Sequence, residues 1–433
     1  MDFADLIYGC EKEAPTSNGL KPYINLDNAA STPPFKGVME QILELAGWYS
    51  SVHRGAGYKS RYCTDKYEEA RWITADFVKA DLEHDAVIFT KNTTDSINKV
   101  SHYLDILPGE IVVFSKIEHH SNELPWLKGR TFCVGLENDG LDLEQLEKFL
   151  RLNRGKIKLL AISGASNVTG YTPPIYTLAE MAHQAGAKIL VDGAQLIPHR
   201  PVMLYPASDP RHLDFLAFSG HKMYAPFGTG VLIGPREIFS KKPPSQAGGG
   251  TIRGIGPAGI IWAEPPEAEE AGSPNIIGAS AIAEAVKIIT GLGWEGIIEH
   301  ENSLLQYTLD KLEAIPEVTI YNRNRLGRVG VVSFNVKGVG HDEVAQYLAD
   351  AKGIGVRNGC FCARGYVQSL LELRPSEMRV YQKSILENPR SISPGMVRIS
   401  FGCYNKHSEI DLLVESLQEL ALERKKSITN NLL

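Results

Sequence analysis

The chain has 433 residues, 43% of them apolar and 22% charged, with a formal net charge of -6. That length exceeds one small core and fits two domains sharing a cleft, in an ordinary globular composition. The negative balance argues against nucleic-acid binding, which would need a basic face.

In chain order, Met1-Asp2-Phe3-Ala4-Asp5 is acidic and lacks a signal pattern. The stretch Pro15-Thr16-Ser17-Asn18-Gly19 is turn-rich, so the first twenty residues are expected to form an arm without an element. Helical spacing runs over 38–49 and 67–80, either side of the glycine-punctuated loop Ser51-Val52-His53-Arg54-Gly55-Ala56-Gly57. Alternation follows: strands at 87–90, 111–114, 131–134, 159–163, 188–191, 213–218 and 231–233, with helices at 92–103, 142–152 and 175–185. This pattern predicts a mostly parallel sheet covered on both faces. Residues 241–274, rich in proline, glycine and glutamate, read as loop or cleft lining.

The helix expected at 277–290 is interrupted by Glu284 and Lys287 and is no membrane span. Together with a helix near 297–314 it leads into a second domain with strands at 329–334 and 396–401. The tail cluster Arg424-Lys425-Lys426 reads as a solvated helix end. Six cysteines in so long a chain make no disulfide framework and point to a reducing, cytoplasmic compartment.

Two strand ends carry the chemistry. The run to Val191 ends in Asp192-Gly193-Ala194-Gln195, and the run to Phe218 ends in Ser219-Gly220-His221-Lys222. Parallel sheets collect ligand chemistry at the carboxyl ends of their strands. A lysine there can form a Schiff base, and a buried carboxylate beside it can keep a pyridinium nitrogen protonated. The plainer alternative is a solvated loop lysine and a helix-capping aspartate.

Other candidates carry the same duality. Thr93 and Thr94 open a helix after a strand and suit a phosphate, or else serve with Asn92 as ordinary caps. His119 is structural or stacks on a flat ring. Asn167 is a turn residue or reaches a ring substituent. The loop Arg357-Asn358-Gly359-Cys360-Phe361-Cys362-Ala363-Arg364 has no second cysteine pair for a metal, so no metal is expected, and a thiol beside arginines suits a nucleophile. Arg398 inside a strand suits an anion such as a carboxylate.

Read together, these pieces resemble the class V aminotransferase group of fold-type I pyridoxal-phosphate enzymes. Within it they are similar to cysteine desulfurases and selenocysteine lyases. The resemblance rests on Leu26-Asp27-Asn28-Ala29-Ala30, His53-Arg54-Gly55, Asn92-Thr93-Thr94, Glu118-His119-His120-Ser121-Asn122, Pro125-Trp126 and Ser166-Asn167. Asp192-Gly193-Ala194-Gln195, Ser219-Gly220-His221-Lys222 and Ala271-Gly272-Ser273-Pro274-Asn275 complete it.

It implies an α/β fold: a large domain over 28–295 with a mostly parallel seven-stranded sheet, and a smaller α+β domain from 1–27 and 296–433. It further implies Lys222 as the Schiff-base lysine, Asp192 on the ring nitrogen and His119 stacked on the ring. Asn167 and Gln195 would lie near the ring hydroxyl, with Thr93, Thr94, Ser219 and His221 on the phosphate. Ser273 would reach the phosphate of a partner subunit in a homodimer. Cys362 would carry a persulfide, while Arg398, Arg357 and Asn28 would bind the amino-acid substrate, with a protein as sulfur acceptor.

Two departures set the chain apart from short-loop desulfurases. Cys360 and Phe361 stand where those carry histidine, and a longer stretch separates Cys362 from Arg398. Both features resemble the desulfurase domain of molybdenum-cofactor sulfurases, although the chain ends soon after its last helix. The extra stretch, 365–394 with Pro375, Pro389 and Pro394, is expected to be a surface lid or docking excursion. The alternative activity is a C–S lyase or aminotransferase with Cys362 as a bystander. A non-catalytic sulfur-relay protein of the same fold fits poorly with an intact Lys222 and Asp192.

Overall fold

A computed structural model describes residues 3–324, 326–388 and 394–431. Its centre is a seven-stranded sheet. From one edge the strands are Asp85–Thr90, Gly230–Pro235, Phe215–Ser219, Lys188–Asp192, Ile157–Ser163, Ile111–Ser115 and Arg130–Val134. The strand Gly230–Pro235 runs antiparallel to both neighbours, and the other pairings are parallel. Strands such as Phe215–Ser219 are buried from end to end because helices cover both faces. An apolar run without alternation is the outcome of that two-sided burial. Each fully buried valine, leucine or isoleucine there contributes about 1.5–3 kcal/mol.

A second, antiparallel sheet joins Val318–Tyr321, Val331–Val336, Met396–Ser400 and Arg357–Gly359. The helices Trp294–Glu313 and His407–Asn431 pack beside it. Ile24 and Leu26 bury themselves in this second core, with Leu304, Phe334, Ile399 and Leu417. The short strand Ile24–Asn25 pairs with Ile354–Gly355, and Asp27 bridges to Ser400. The chain therefore crosses from the small sheet to the large one immediately after Asp27.

Several expectations need correction. The N-terminal arm carries a hairpin, Glu13–Thr16 with Gly19–Pro22, and the turn-rich stretch is its loop. Gly19 takes φ 96, and Ser17 N donates to Asp350 O at 2.7 Å, docking the hairpin. The helix expected from Tyr67 begins at Tyr58. Its buried stripe includes Ser60, Cys63 and Arg71, which conceal the apolar periodicity. Residues 241–274 hold a hairpin, Ile252–Gly256 with Gly259–Trp262, whose isoleucines face outward.

Among its described residues, the stretch 365–394 holds two helices, Arg364–Leu370 and Pro375–Glu387. Pro375–Glu387 lies at the surface, but Tyr366 and Val367 of Arg364–Leu370 are buried in the large core. The first half is thus structural, and Pro389 falls outside the described residues. No single helix among the described residues is long and apolar enough to cross a membrane.

Candidate active site

The parallel register brings three strand ends to one rim, with Asp192 beside Ser163 on one side and Ala217 on the other. Two residues past Ala217 is Ser219, and Lys222 closes the 3-10 turn that follows. At the neighbouring rim, Asn92 caps the helix Thr93–Tyr103 by accepting from Asp95 N at 3.0 Å. Gly230 permits this junction, since a Cβ there would lie 2.6 Å from the Asn92 backbone. A cleft of about 600 Å³ opens over the rim. Its lining includes Thr93, Thr94, His119, Asn167, Asp192, Gln195, Ser219, His221 and Lys222 from the large sheet, with Arg357, Cys360, Cys362 and Arg398 from the small one.

Burial lowers the Lys222 ammonium to about 8, against the pull of Asp192. Burial pushes the Asp192 carboxyl up, while the Ala194 amide, 3.0 Å from Oδ1, and the Lys222 charge draw it down. A buried acid of this kind is suited to a cationic N–H. His119 is lowered to about 4 by burial and by Lys222, so its ring is neutral. Ser121 N donates to its Nδ1 at 3.1 Å, which fixes the ring. His221 is likewise lowered to about 4, chiefly by burial.

The Thr93 and Ser219 hydroxyls lie 2.6 Å apart, and Thr93 N donates to Ser219 Oγ at 2.8 Å. Thr94 reaches Ser121 at 2.6 Å. These hydroxyls surround the first amides of a helix, where an anion finds unpaired donors. Gln195 donates to Ala29 O at 2.7 Å. Asn167 donates to Phe361 O at 2.6 Å, while its Oδ1 is buried with no partner.

Arg398 donates to Asn167 O at 3.0 Å and to Asp27 at 2.9 Å, and its guanidinium lies 5.0 Å from the Phe361 ring centroid. Its Nε is buried and unpartnered, a donor available to an anion. Arg357 is more exposed and pairs with the other oxygen of Asp27 at 3.1 Å. Cys362 is exposed and Cys360 half-buried. Phe361 and Cys362 both adopt left-handed backbone, φ 52 and 53. Each costs roughly 1–2 kcal/mol in a residue with a Cβ.

Two of the expected residues do not line this cleft. Asn28 donates to Asn25 O, Ser400 O and Asn405 and accepts from Tyr404, so it braces the chain beneath Ala29 and does not line the cleft. Ser273 lines a separate pocket with His53, Arg54 and Gly248. Two residues acquire roles only in three dimensions. Asp27 ties both arginines. Glu118, fully buried, accepts from Ser163 N and Oγ, Asn122 and Ser115, and is pushed up to about 7 by burial. It joins the ends of two central strands behind His119.

The sequence model of the family described as Aminotransferase class-V matches residues 24–413. A curated cysteine desulfurase of Escherichia coli O8 is 35% identical over 416 residues, covering 93% of this chain and 94% of that protein. One of Escherichia fergusonii is 34% identical over the same shares. Among solved structures, the apo cysteine desulfurase of Thermococcus onnurineus NA1 superposes with a TM-score of 0.81 at 34% identity, covering 93% of this chain and 95% of that one. An Escherichia coli cysteine desulfurase in its S-sulfonic acid form gives 0.78 at 28%, with the same coverage. Matches that run through both sheets and every strand end around the cleft make the chain a member of the aminotransferase class-V family, in the company of its cysteine desulfurases.

Proposed function

We propose that the chain is a pyridoxal-phosphate-dependent cysteine desulfurase that takes sulfur from L-cysteine. The products are alanine and a persulfide on Cys362. The observation that carries the reading is one cleft lined by Lys222 and Asp192 at its floor and the exposed Cys362 at its mouth. The donor set fits the cofactor. Hydroxyls of Thr93, Thr94 and Ser219 would hold its phosphate, and the orphaned Asn167 Oδ1 and the Gln195 amide would face its ring hydroxyl. Neutral His119 would cover the ring, and Asp192 would accept the ring nitrogen's N–H and keep it protonated.

When bound, the cofactor supplies an electron sink for the charge that develops as substrate bonds break. Arg398 grips the substrate carboxylate through the donors that Asn167 and Asp27 leave free. Lys222 Nζ, brought to about 8 by burial, holds a useful neutral fraction near pH 7 and takes the Cα proton. The Cys362 thiolate attacks the substrate sulfur. The Cβ–S bond breaks, a proton replaces sulfur on Cβ, and the sulfur stays on the enzyme as Cys362–S–SH. Mass spectrometry of Cys362 after brief exposure to L-cysteine tests this, and an unmodified thiol with alanine still formed contradicts it.

A homodimer belongs to the same proposal. Trp48, Tyr58 and Trp72 on the first two long helices and Ile255 and Ile261 on the hairpin are exposed. Ser273 lies away from the Lys222 cleft, so a phosphate contact by Ser273 needs a second copy of the chain. The surface helix Pro375–Glu387 offers ground for a protein sulfur acceptor.

A further inference from the structure

The loop that carries Cys362 is held shut from the large sheet. Ala363 N donates to Cys360 O at 2.9 Å, closing a four-residue turn whose central residues are Phe361 and Cys362. Both are left-handed and neither is glycine, so the turn persists only where its surroundings hold it. Three hydrogen bonds do so. Asn167 donates to Phe361 O at 2.6 Å, and His120 N donates to Cys362 O at 2.7 Å. The third runs from Arg364 N to His120 Nε2 at 3.2 Å.

His120 thus makes two of the three, one on each side of the Cys362–Ala363 step. Arg364 N is a first-turn amide of the helix Arg364–Leu370 and has no acceptor within that helix. The Ala363 methyl cannot accept a hydrogen bond, so the imidazole takes the capping place. Burial and the nearby Arg364 charge lower the affinity of the ring for a proton, against Glu123, which keeps Nε2 an acceptor. His120 is itself anchored. It opens the short turn His120–Asn122, and Asn122 donates to the buried Glu118 at 2.7 Å.

We propose that His120 is the positioning residue for the sulfur-accepting thiol: it latches the turn Cys360–Ala363 onto the large sheet and so presents Cys362 Sγ to the substrate sulfur. This rests on the reading of Cys362 as the persulfide carrier. His120 touches the nucleophile's carbonyl and the Arg364 amide, and it does not line the cleft. Its effect therefore falls on the thiol and leaves cofactor capture alone.

The test uses the holoenzyme and two variants. His120→Ala deletes the ring acceptor but keeps the backbone donor, and His120→Gln restores an acceptor at similar reach. With His120→Ala, kcat for sulfur release from L-cysteine should fall about fivefold at unchanged KM, the scale of one lost hydrogen bond. Hydrogen exchange of the amides over 359–366 should quicken by a similar factor, with the visible cofactor absorption unchanged. His120→Gln should bring kcat and exchange back toward the wild type. Wild-type kcat in His120→Ala, or faster exchange without a change in kcat, overturns the proposal. So does loss of the cofactor band, which would assign His120 to the cofactor.

Should His120→Ala fail to fold, the wild-type holoenzyme decides: an Arg364 amide exchanging as fast as an unprotected loop amide contradicts the latch. A wild type inert toward L-cysteine would refute the desulfurase reading, and the exchange results would still judge the latch.

Discussion

Arg398 meets Asp27 at 2.9 Å through one terminal nitrogen, while the Nε of the same guanidinium is buried without a partner. Asp27 also pairs with Arg357, so one carboxylate offsets two cations and leaves a net positive site. The residual charge suits a single carboxylate. Arg398→Lys removes the planar fork and most of its donors. The expected loss is about 10- to 100-fold in kcat/KM for L-cysteine, the scale of a hydrogen bond to a charged group. Steady-state kinetics with the cofactor band intact would show it, and wild-type kcat/KM would remove Arg398 from substrate binding.

The pH dependence of cofactor capture follows from Lys222. Only the neutral amine condenses with an aldehyde, and burial lowers the group from its usual 10.5 to about 8. Capture by apoprotein should therefore rise with pH through about 8 and then level. Stopped-flow absorbance checks this. A rate that still climbs steeply toward pH 10 would mean that Lys222 is not desolvated.

The main sheet was legible in the sequence because a doubly covered parallel strand writes itself as an uninterrupted apolar run, as in Phe215–Ser219. Lys222 and Asp192 were legible for the related reason that a reactive polar residue closes such a run. Asp27 was not, because its role exists only once Arg398, 371 positions away, is folded back against it. Nor was the helix start at Tyr58, whose buried face contains serine and arginine. Nothing in the order Gly359-Cys360-Phe361-Cys362 announces the conformation of the cysteine loop. The left-handed pair Phe361 and Cys362 makes it a tight turn, and both thiols line the cleft.

Removing Pro375–Glu387 should leave cofactor binding intact, because among its residues only Tyr381 is buried. Sulfur delivery to a protein acceptor should change instead. Cutting into Arg364–Leu370 should destabilise the fold, since Tyr366 and Val367 are core residues. Thermal melts and cofactor absorbance of the two deletions separate these outcomes, and loss of cofactor in the first would make the outer helix structural.

The wild-type chain should scatter light as a dimer at micromolar concentration. Ile261→Asp, on an exposed hairpin position, should shift it toward monomer and lower activity if Ser273 serves the partner's site. A wild-type monomer with full activity would contradict the shared site.

The most direct test of the account compares alanine and released sulfur from L-cysteine in the wild type, Cys360→Ser and Cys362→Ser. The wild type should give equal yields of the two products, and Cys360→Ser should keep substantial turnover. Cys362→Ser should keep its cofactor band, because Lys222 and Asp192 are untouched, yet release no sulfur from cysteine. Full turnover in Cys362→Ser would contradict the account and make the chain a lyase that eliminates sulfur without a protein thiol.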